Sequence, residues 1–235
     1  MKGARFVDNL TFKLRFAPSL MCADPLRLRE QLEVINRRAA LCHVDIMDGH
    51  YVPNITLSPQ FVAQIRKNVS IPIDAHLMVD NPSCYIDRLA EAGCDYITVH
   101  ADAIEPCAFR VLRRIKELGL GACVALNPAT AVARIYHYAD LIDKLTIMTV
   151  DAGFAGQSFI PETLRKFGQA CELRRERGLG FFIEADGSCN AGTFGRLKEA
   201  GCDIYVVGTS GLFSLDEDLD AAFDKLEEVF ANARV

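Results

Sequence analysis

Glu91-Ala92-Gly93-Cys94-Asp95-Tyr96 reads as a helix end, a glycine cap and the first residue of an apolar strand, and about half a chain later it returns as Glu199-Ala200-Gly201-Cys202-Asp203-Ile204. Half a chain is the separation expected if the third and fourth units of an eightfold ring correspond to the seventh and eighth. Helix, cap and strand favour such sequences in any fold, so the echo has weight only with the rest of the chain. Outward from it, short β-rich runs alternate with amphipathic helical ones. Eight strands are predicted, at residues 15–18, 41–47, 73–78, 96–100, 122–126, 144–149, 181–185 and 204–207. The runs between them open on helix-start signals, Asp24-Pro25, Ser58-Pro59, Asn81-Pro82 and Pro161-Glu162, and several close on glycine, at Gly93, Gly119, Gly178 and Gly201. With no long polar linker, eight βα units predict an α/β fold, a single (β/α)8 TIM barrel spanning residues 1–235 with an N-terminal arm over 1–13. A doubly wound open sheet is the alternative.

Composition narrows the function. Half of the 235 residues are hydrophobic, enough for a large core, and a net charge of −5 without a basic stripe argues against a nucleic-acid partner. No apolar run is long enough for a membrane span, and Met1-Lys2-Gly3-Ala4-Arg5-Phe6 lacks a signal peptide's apolar core, so a cytoplasmic location is expected. Nine cysteines without CxxC spacing, among them Cys94, Cys123, Cys171 and Cys202 in apolar segments, read as reduced core residues.

The chemistry concentrates in His43-Val44-Asp45-Ile46-Met47-Asp48-Gly49-His50, where strand alternation puts His43, Asp45 and Met47 on one face. An imidazole and a carboxylate converging in this way suit zinc, manganese or iron; a buried His–Asp hydrogen bond explains the pair equally well. Ile73-Asp74-Ala75-His76-Leu77-Met78 repeats the His-x-Met pattern, and Ile183-Glu184-Ala185-Asp186-Gly187 ends in an acid. In a barrel, catalytic groups sit at the C-terminal ends of strands, where His43, Asp45, His76 and Asp186 would form a set of two imidazoles and two carboxylates. His100 also ends a strand, whereas His50 and His137 look like loop and helix-surface residues; all three read as structural.

Three glycine-bearing turns follow the last strands: Gly153-Phe154-Ala155-Gly156-Gln157, Gly187-Ser188, and Gly208-Thr209-Ser210-Gly211. Each alone does no more than turn the chain. Side by side they would present backbone N–H groups to a phosphate, as barrel loops after strands seven and eight do. Met47, Met78 and Met148 are either walls that exclude water or ordinary gap-fillers. A metal beside two carboxylates and opposite a phosphate cradle describes a site for a small phosphorylated sugar, where one acid removes a proton and the other returns one through an enediolate, an epimerisation.

Five segments carry a resemblance: Ala17-Pro18-Ser19-Leu20, HVDIMDGHYVPN from His43, Asp74-Ala75-His76-Leu77-Met78-Val79, MTVDAGFAGQ from Met148, and Glu184-Ala185-Asp186-Gly187. Together they resemble the ribulose-phosphate 3-epimerase family over residues 15–214. The resemblance implies a metal-dependent isomerase with one divalent ion per chain, usually zinc, with manganese, cobalt or iron as alternatives. It implies His43, Asp45, His76 and Asp186 as ligands, with Asp45 and Asp186 also serving as the acid/base pair. Ser19 and His76 would lie against substrate, and the three glycine turns, including Phe154, Ala155, Thr209 and Ser210, would hold its phosphate. It further implies a homo-oligomer, dimer or hexamer. Thr56-Leu57-Ser58-Pro59, Asp186-Gly187-Ser188-Cys189-Asn190 and Gly208-Thr209-Ser210-Gly211-Leu212-Phe213 are similar to the branch that epimerises D-allulose 6-phosphate to D-fructose 6-phosphate, with D-ribulose 5-phosphate to D-xylulose 5-phosphate as the alternative. Ala152 departs from the proline general in both branches. A phosphate-binding lyase would need a lysine at a strand end, and Lys144 starts its strand, at the wrong end of the barrel. A non-catalytic sugar-phosphate-binding barrel would be expected to have lost a ligand, and none is missing.

Overall fold

The computed structural model describes residues 16–233, so the predicted arm and Arg15 of the first strand lie outside the described residues. Eight parallel strands form one sheet: β1 Phe16–Pro18, β2 Cys42–Met47, β3 Ile73–Met78, β4 Tyr96–His100, β5 Gly121–Leu126, β6 Lys144–Met148, β7 Phe182–Asp186 and β8 Ile204–Val207. Their order is β1-β8-β7-β6-β5-β4-β3-β2. A parallel bridge from Ser19 to His43, with Ala40 N–H donating to the Phe16 carbonyl at 3.0 Å, brings the first and second strands together and closes the ring. The fold is a (β/α)8 barrel.

The helices are α1 Leu28–Arg38, α2 Pro59–Ile65, α3 Ser83–Ala92, the single turn α4 Ala101–Ile104, α5 Ala108–Glu117, α6 Leu164–Glu176, α7 Phe194–Glu199 and α8 Leu219–Asn232. Sequence spacing explains their seating. In α5 the buried residues Ala108, Val111, Leu112 and Ile115 recur at i, i+3, i+4 and i+7, one stripe facing the sheet. Each of the larger three contributes roughly 1.5–3 kcal/mol by leaving water. At the start of α2, the Ser58 hydroxyl accepts from Phe61 N–H. The crossover between β5 and β6 differs from the rest: Val132–Leu141 is a 3-10 segment bent at Tyr138, and its apolar residues Val132, Ile135 and Tyr138 return every third position, as three residues per turn requires.

The echoed motif is a staple at the N-terminal face. Asp95, just ahead of β4, accepts from Ile73 N–H at 2.9 Å and from Arg66 at 2.8 Å. Asp203, ahead of β8, accepts from Ile183 N–H at 3.0 Å and from Arg174 at 2.5 Å. Asp143, ahead of β6, does the same with Ala122 N–H and Lys116, both at 2.8 Å. In each case an aspartate before one strand accepts from an N–H at the start of its neighbour and anchors a cation from the end of the helix that precedes that neighbour. Gly93 and Gly201, at φ 88° and 92°, make the left-handed turn that delivers the chain to this position.

Alternation divides the strands. Val44, Ile46, Ala75, Leu77, Val124, Ile147 and Ile183 face the helices and join the main core. The inward set is unusually polar: His43, Asp45, Asp74, His76, Thr98, His100, Lys144, Thr146 and Glu184 are all buried. Apolar groups plug the lower end, Ala17, Leu41, Ile204 and Val206, and Met47, Val52 and Met78 cluster near the upper one.

Candidate active site

Strand register sets the chemistry. His43 is paired with Asp74 and Asp45 with His76 across β2 and β3, and Met148 with Asp186 across β6 and β7. Four side chains therefore meet, Asp45, His76 and Asp186 from the C-terminal halves of their strands and His43, which the sequence places at a strand end, from the second residue of β2. His43 Nε2 lies 3.3 Å from Asp45 Oδ1, 3.6 Å from Asp186 Oδ2 and 3.2 Å from His76 Nδ1. His76 Nδ1 is 3.4 Å from Asp45 Oδ1 and 3.3 Å from Asp186 Oδ2. A tetrahedron of nitrogen and oxygen ligands 2.0–2.2 Å from zinc has edges of about 3.3–3.6 Å; four of the six edges already have that length, and the edge between the imidazoles, 3.2 Å, is slightly shorter. The sixth, between the carboxylates, is within 4.8 Å. Two neutral imidazoles and two carboxylates also carry the charge that balances one divalent cation. The residues fit a metal ion.

The same proximity shapes the titrations. Burial works against a charge on His43, but the Asp45 carboxylate beside it, with Asp186 and Asp74, lifts the imidazole well above its ordinary range. Burial would raise Asp45, yet the charge of His43 and hydrogen bonds from both imidazoles hold it well below. Asp186 is held at about 2 by the same donors against its burial. Behind these groups, His43 Nδ1 approaches Asp74 Oδ2 at 3.2 Å, too bent for a full hydrogen bond, and His76 Nε2 meets His100 Nε2 at 2.9 Å. Burial, with the charge of His76, pushes His100 well below its usual range, so it is a neutral acceptor. With His76 Nδ1 turned to the cluster, its Nε2 proton goes to His100.

Above the cluster a cavity of about 350 Å³ opens at the strand ends. Ser19, Asp45, Met47, Met78, Met148 and Asp186 line it, as do Gly153, Phe154, Ala155, Gly156, Gly187, Ser188, Gly208, Thr209 and Ser210 from the three turns. His43 and His76 do not reach it; both are fully buried beneath. Ser19 donates to Asp45 Oδ2 at 2.6 Å, so Asp45 presents one oxygen to the imidazoles and the other to a hydroxyl. No lysine or arginine is among the lining residues. Gly187 has φ +111°, and a Cβ there would lie 2.5 Å from Val150, so the backbone approach itself demands glycine. Ala152 packs against Met47, Val52 and Met78, which seats the loop without the proline.

Among the lining residues, Asn190 and Gln157 were given no role by the sequence reading. Asn190 donates to Ser210 Oγ at 3.1 Å and to Ser188 Oγ at 3.4 Å, tying the turns after β7 and β8 together. Gln157 donates to the carbonyls of Asp151 and Phe154 at 2.6 and 2.9 Å and folds the turn after β6 on itself. Asn190 was legible as part of the Ser188-Cys189-Asn190 resemblance, though without a role; Gln157 ends the glycine turn and carried no signal of its own.

Residues 15–213 match the family described as the ribulose-phosphate 3 epimerase family. This chain belongs to that family. The epimerase from Bacillus subtilis (strain 168), named ribulose-phosphate 3-epimerase, is 40% identical over 199 residues, 84% of this chain and 91% of the relative. Its namesake from Aquifex aeolicus is 38% identical over 92% of this chain and 97% of its own. An epimerase of this family is an isomerase, and so is this protein. Among solved structures, KGPDC from Streptococcus mutans in complex with D-R5P superposes with a TM-score of 0.72 at 14% identity, covering 94% of this chain and 98% of the other. 3-Hexulose-6-phosphate synthase from Salmonella typhimurium gives 0.68 at 16% identity, with 94% and 100% covered. These two show the shared barrel alone. Among the described residues, no helix is long and apolar enough to cross a membrane.

Proposed function

We propose that this epimerase inverts carbon 3 of a ketose phosphate by two-base proton transfer between Asp45 and Asp186, with zinc held by His43, Asp45, His76 and Asp186. The observation that carries the reading is the near-tetrahedral spacing of those four ligands, two of which also line the cavity. When bound, the metal supplies positive charge to the oxygens that become negative as carbon 3 loses its proton. Asp45 and Asp186 take and return that proton on opposite faces of the carbon. Ser19 holds Asp45 Oδ2 at the cavity, and the three methionines keep water from the exposed carbanion. The turns at Gly153, Gly187 and Gly208 offer backbone N–H groups to the phosphate, where no side-chain cation competes.

For substrate we propose D-allulose 6-phosphate, converted to D-fructose 6-phosphate, on the resemblance at Ser188, Asn190 and Ser210, whose side chains meet at the cavity. A second reading, D-ribulose 5-phosphate to D-xylulose 5-phosphate, is favoured by the names of the relatives. Comparing kcat/KM for the two sugars decides between them; a tenfold preference for the pentulose overturns the hexulose assignment and leaves the mechanism standing. In heavy water the product gains deuterium at carbon 3, because the returned proton comes from the other carboxyl. Asp45→Asn and Asp186→Asn each lower kcat by about 10²-fold or more. Turnover without exchange at carbon 3 would defeat the two-base mechanism.

A further inference from the structure

Below the four-ligand cluster lies a second group that shares one of its members: His43, Asp74 and Glu184 also bring ligand atoms within 4.8 Å of one another, all three buried. This lower group already holds a cation. Lys144 starts β6 at the N-terminal end of the barrel, but its side chain runs up the interior until the ammonium donates to Asp74 Oδ2 at 2.8 Å, to Thr146 Oγ1 at 3.1 Å and to Glu184 Oε1. The lysine has no exposed surface. Asp74 is gripped at its other oxygen by the Thr98 hydroxyl at 2.7 Å, and Asp74 Oδ2, the atom that receives the ammonium, is the one facing His43 Nδ1 at 3.2 Å.

We propose that Lys144 is a positioning residue for His43: its ammonium fills the lower cation cluster and fixes the Asp74 carboxylate against His43 Nδ1, so that His43 Nε2 presents its lone pair to the upper cluster. A buried ion triad costs desolvation that an apolar layer of the same volume would avoid, so packing alone gives no reason for a lysine here. A carboxylate behind a ligating imidazole fixes the ring and its tautomer. With Lys144 gone, Asp74 keeps the Thr98 hydroxyl alone and is free to turn from His43. The filled lower cluster also limits the chain to one metal ion.

The proposal rests on the reading of the upper cluster as a metal site, and the test separates the two. The full chain is stripped with a chelator, and its zinc dissociation constant is measured by competition with a chromophoric chelator; the visible spectrum of the cobalt-loaded protein reports ligand geometry. If the wild-type chain binds no zinc, the metal reading falls and this inference with it. If it binds one ion, K144M is expected to weaken binding 10- to 100-fold and shift the cobalt spectrum, with D74N doing the same and K144M/D74N no worse than the weaker single variant. A folded K144M with wild-type zinc affinity overturns the proposal. Should K144M not fold, K144M/E184Q removes one carboxylate along with the ammonium; zinc binding still at least tenfold weaker supports positioning, and wild-type affinity shows that Lys144 only balances charge.

Discussion

Ser188 is the one residue other than glycine, among the described residues, whose backbone is left-handed, with φ at +52°. That conformation costs an L-residue about 1–2 kcal/mol, and glycine would avoid it at an entropic cost of about 0.5–1 kcal/mol. Ser188→Gly is therefore expected to stabilise the fold by about 0.5–1 kcal/mol in urea unfolding, yet to raise KM for the phosphorylated sugar several-fold by deleting a hydroxyl at the cavity. A stability gain with KM unchanged would mean that the Ser188 hydroxyl does not contact the substrate. Individual residues were unevenly legible. Alternation told that His43, Asp45, His76 and Asp186 share the inner face, since a strand's period of two leaves no other choice. It could not tell how far a long side chain travels along that face. Lys144 belongs at the wrong end of the barrel by its Cα, as the sequence says, while its ammonium belongs to the layer beneath the ligands. His100 was read as structural because a lone histidine at a strand end shows no partner; its contact with His76 spans two strands and exists only in three dimensions.

Elements were easier to read, because each announces itself locally. The strand runs fell within a residue or so of the observed strands, and the glycine caps at Gly93, Gly119, Gly178 and Gly201 all carry positive φ. What stayed hidden was why one helix–cap–strand passage repeats. Its aspartate serves the neighbouring strand, a role that needs both strands in place. Asp203→Ala is expected to cost about 2 kcal/mol, since it leaves Ile183 N–H and the Arg174 guanidinium without their shared carboxylate. The same substitution should leave KM and kcat near wild type, because the staple sits at the end of the barrel opposite the cavity. Equal loss of stability and kcat would mean that strain at one face reaches the other.

For the whole molecule, the proposed metal would couple to the fold. Zinc that binds the folded chain alone stabilises it by about 4 kcal/mol at a thousand times its dissociation constant. At this chain length each kcal/mol moves Tm by about 2–4 °C, so chelation should lower Tm by roughly 8–16 °C, and zinc should restore it. Asp186→Asn should lose most of that shift. A Tm indifferent to chelator would remove the metal from the proposal.

The ring is closed by the three residues of β1, which pair with β8, and by the bridge from Ser19 to His43. That seam runs through the four-residue cluster, at His43. A chain emerging from the ribosome shows its first strand early and can join it to the second, but the β8 partner of that strand is made only nearly the full length later. Asp186 arrives only shortly before. A half-synthesised chain thus owns two imidazoles and one carboxylate but neither the fourth ligand nor the wall behind Ser19. The fourth member of the cluster and the ring-closing strand are both made late, so a product truncated before β7 lacks both.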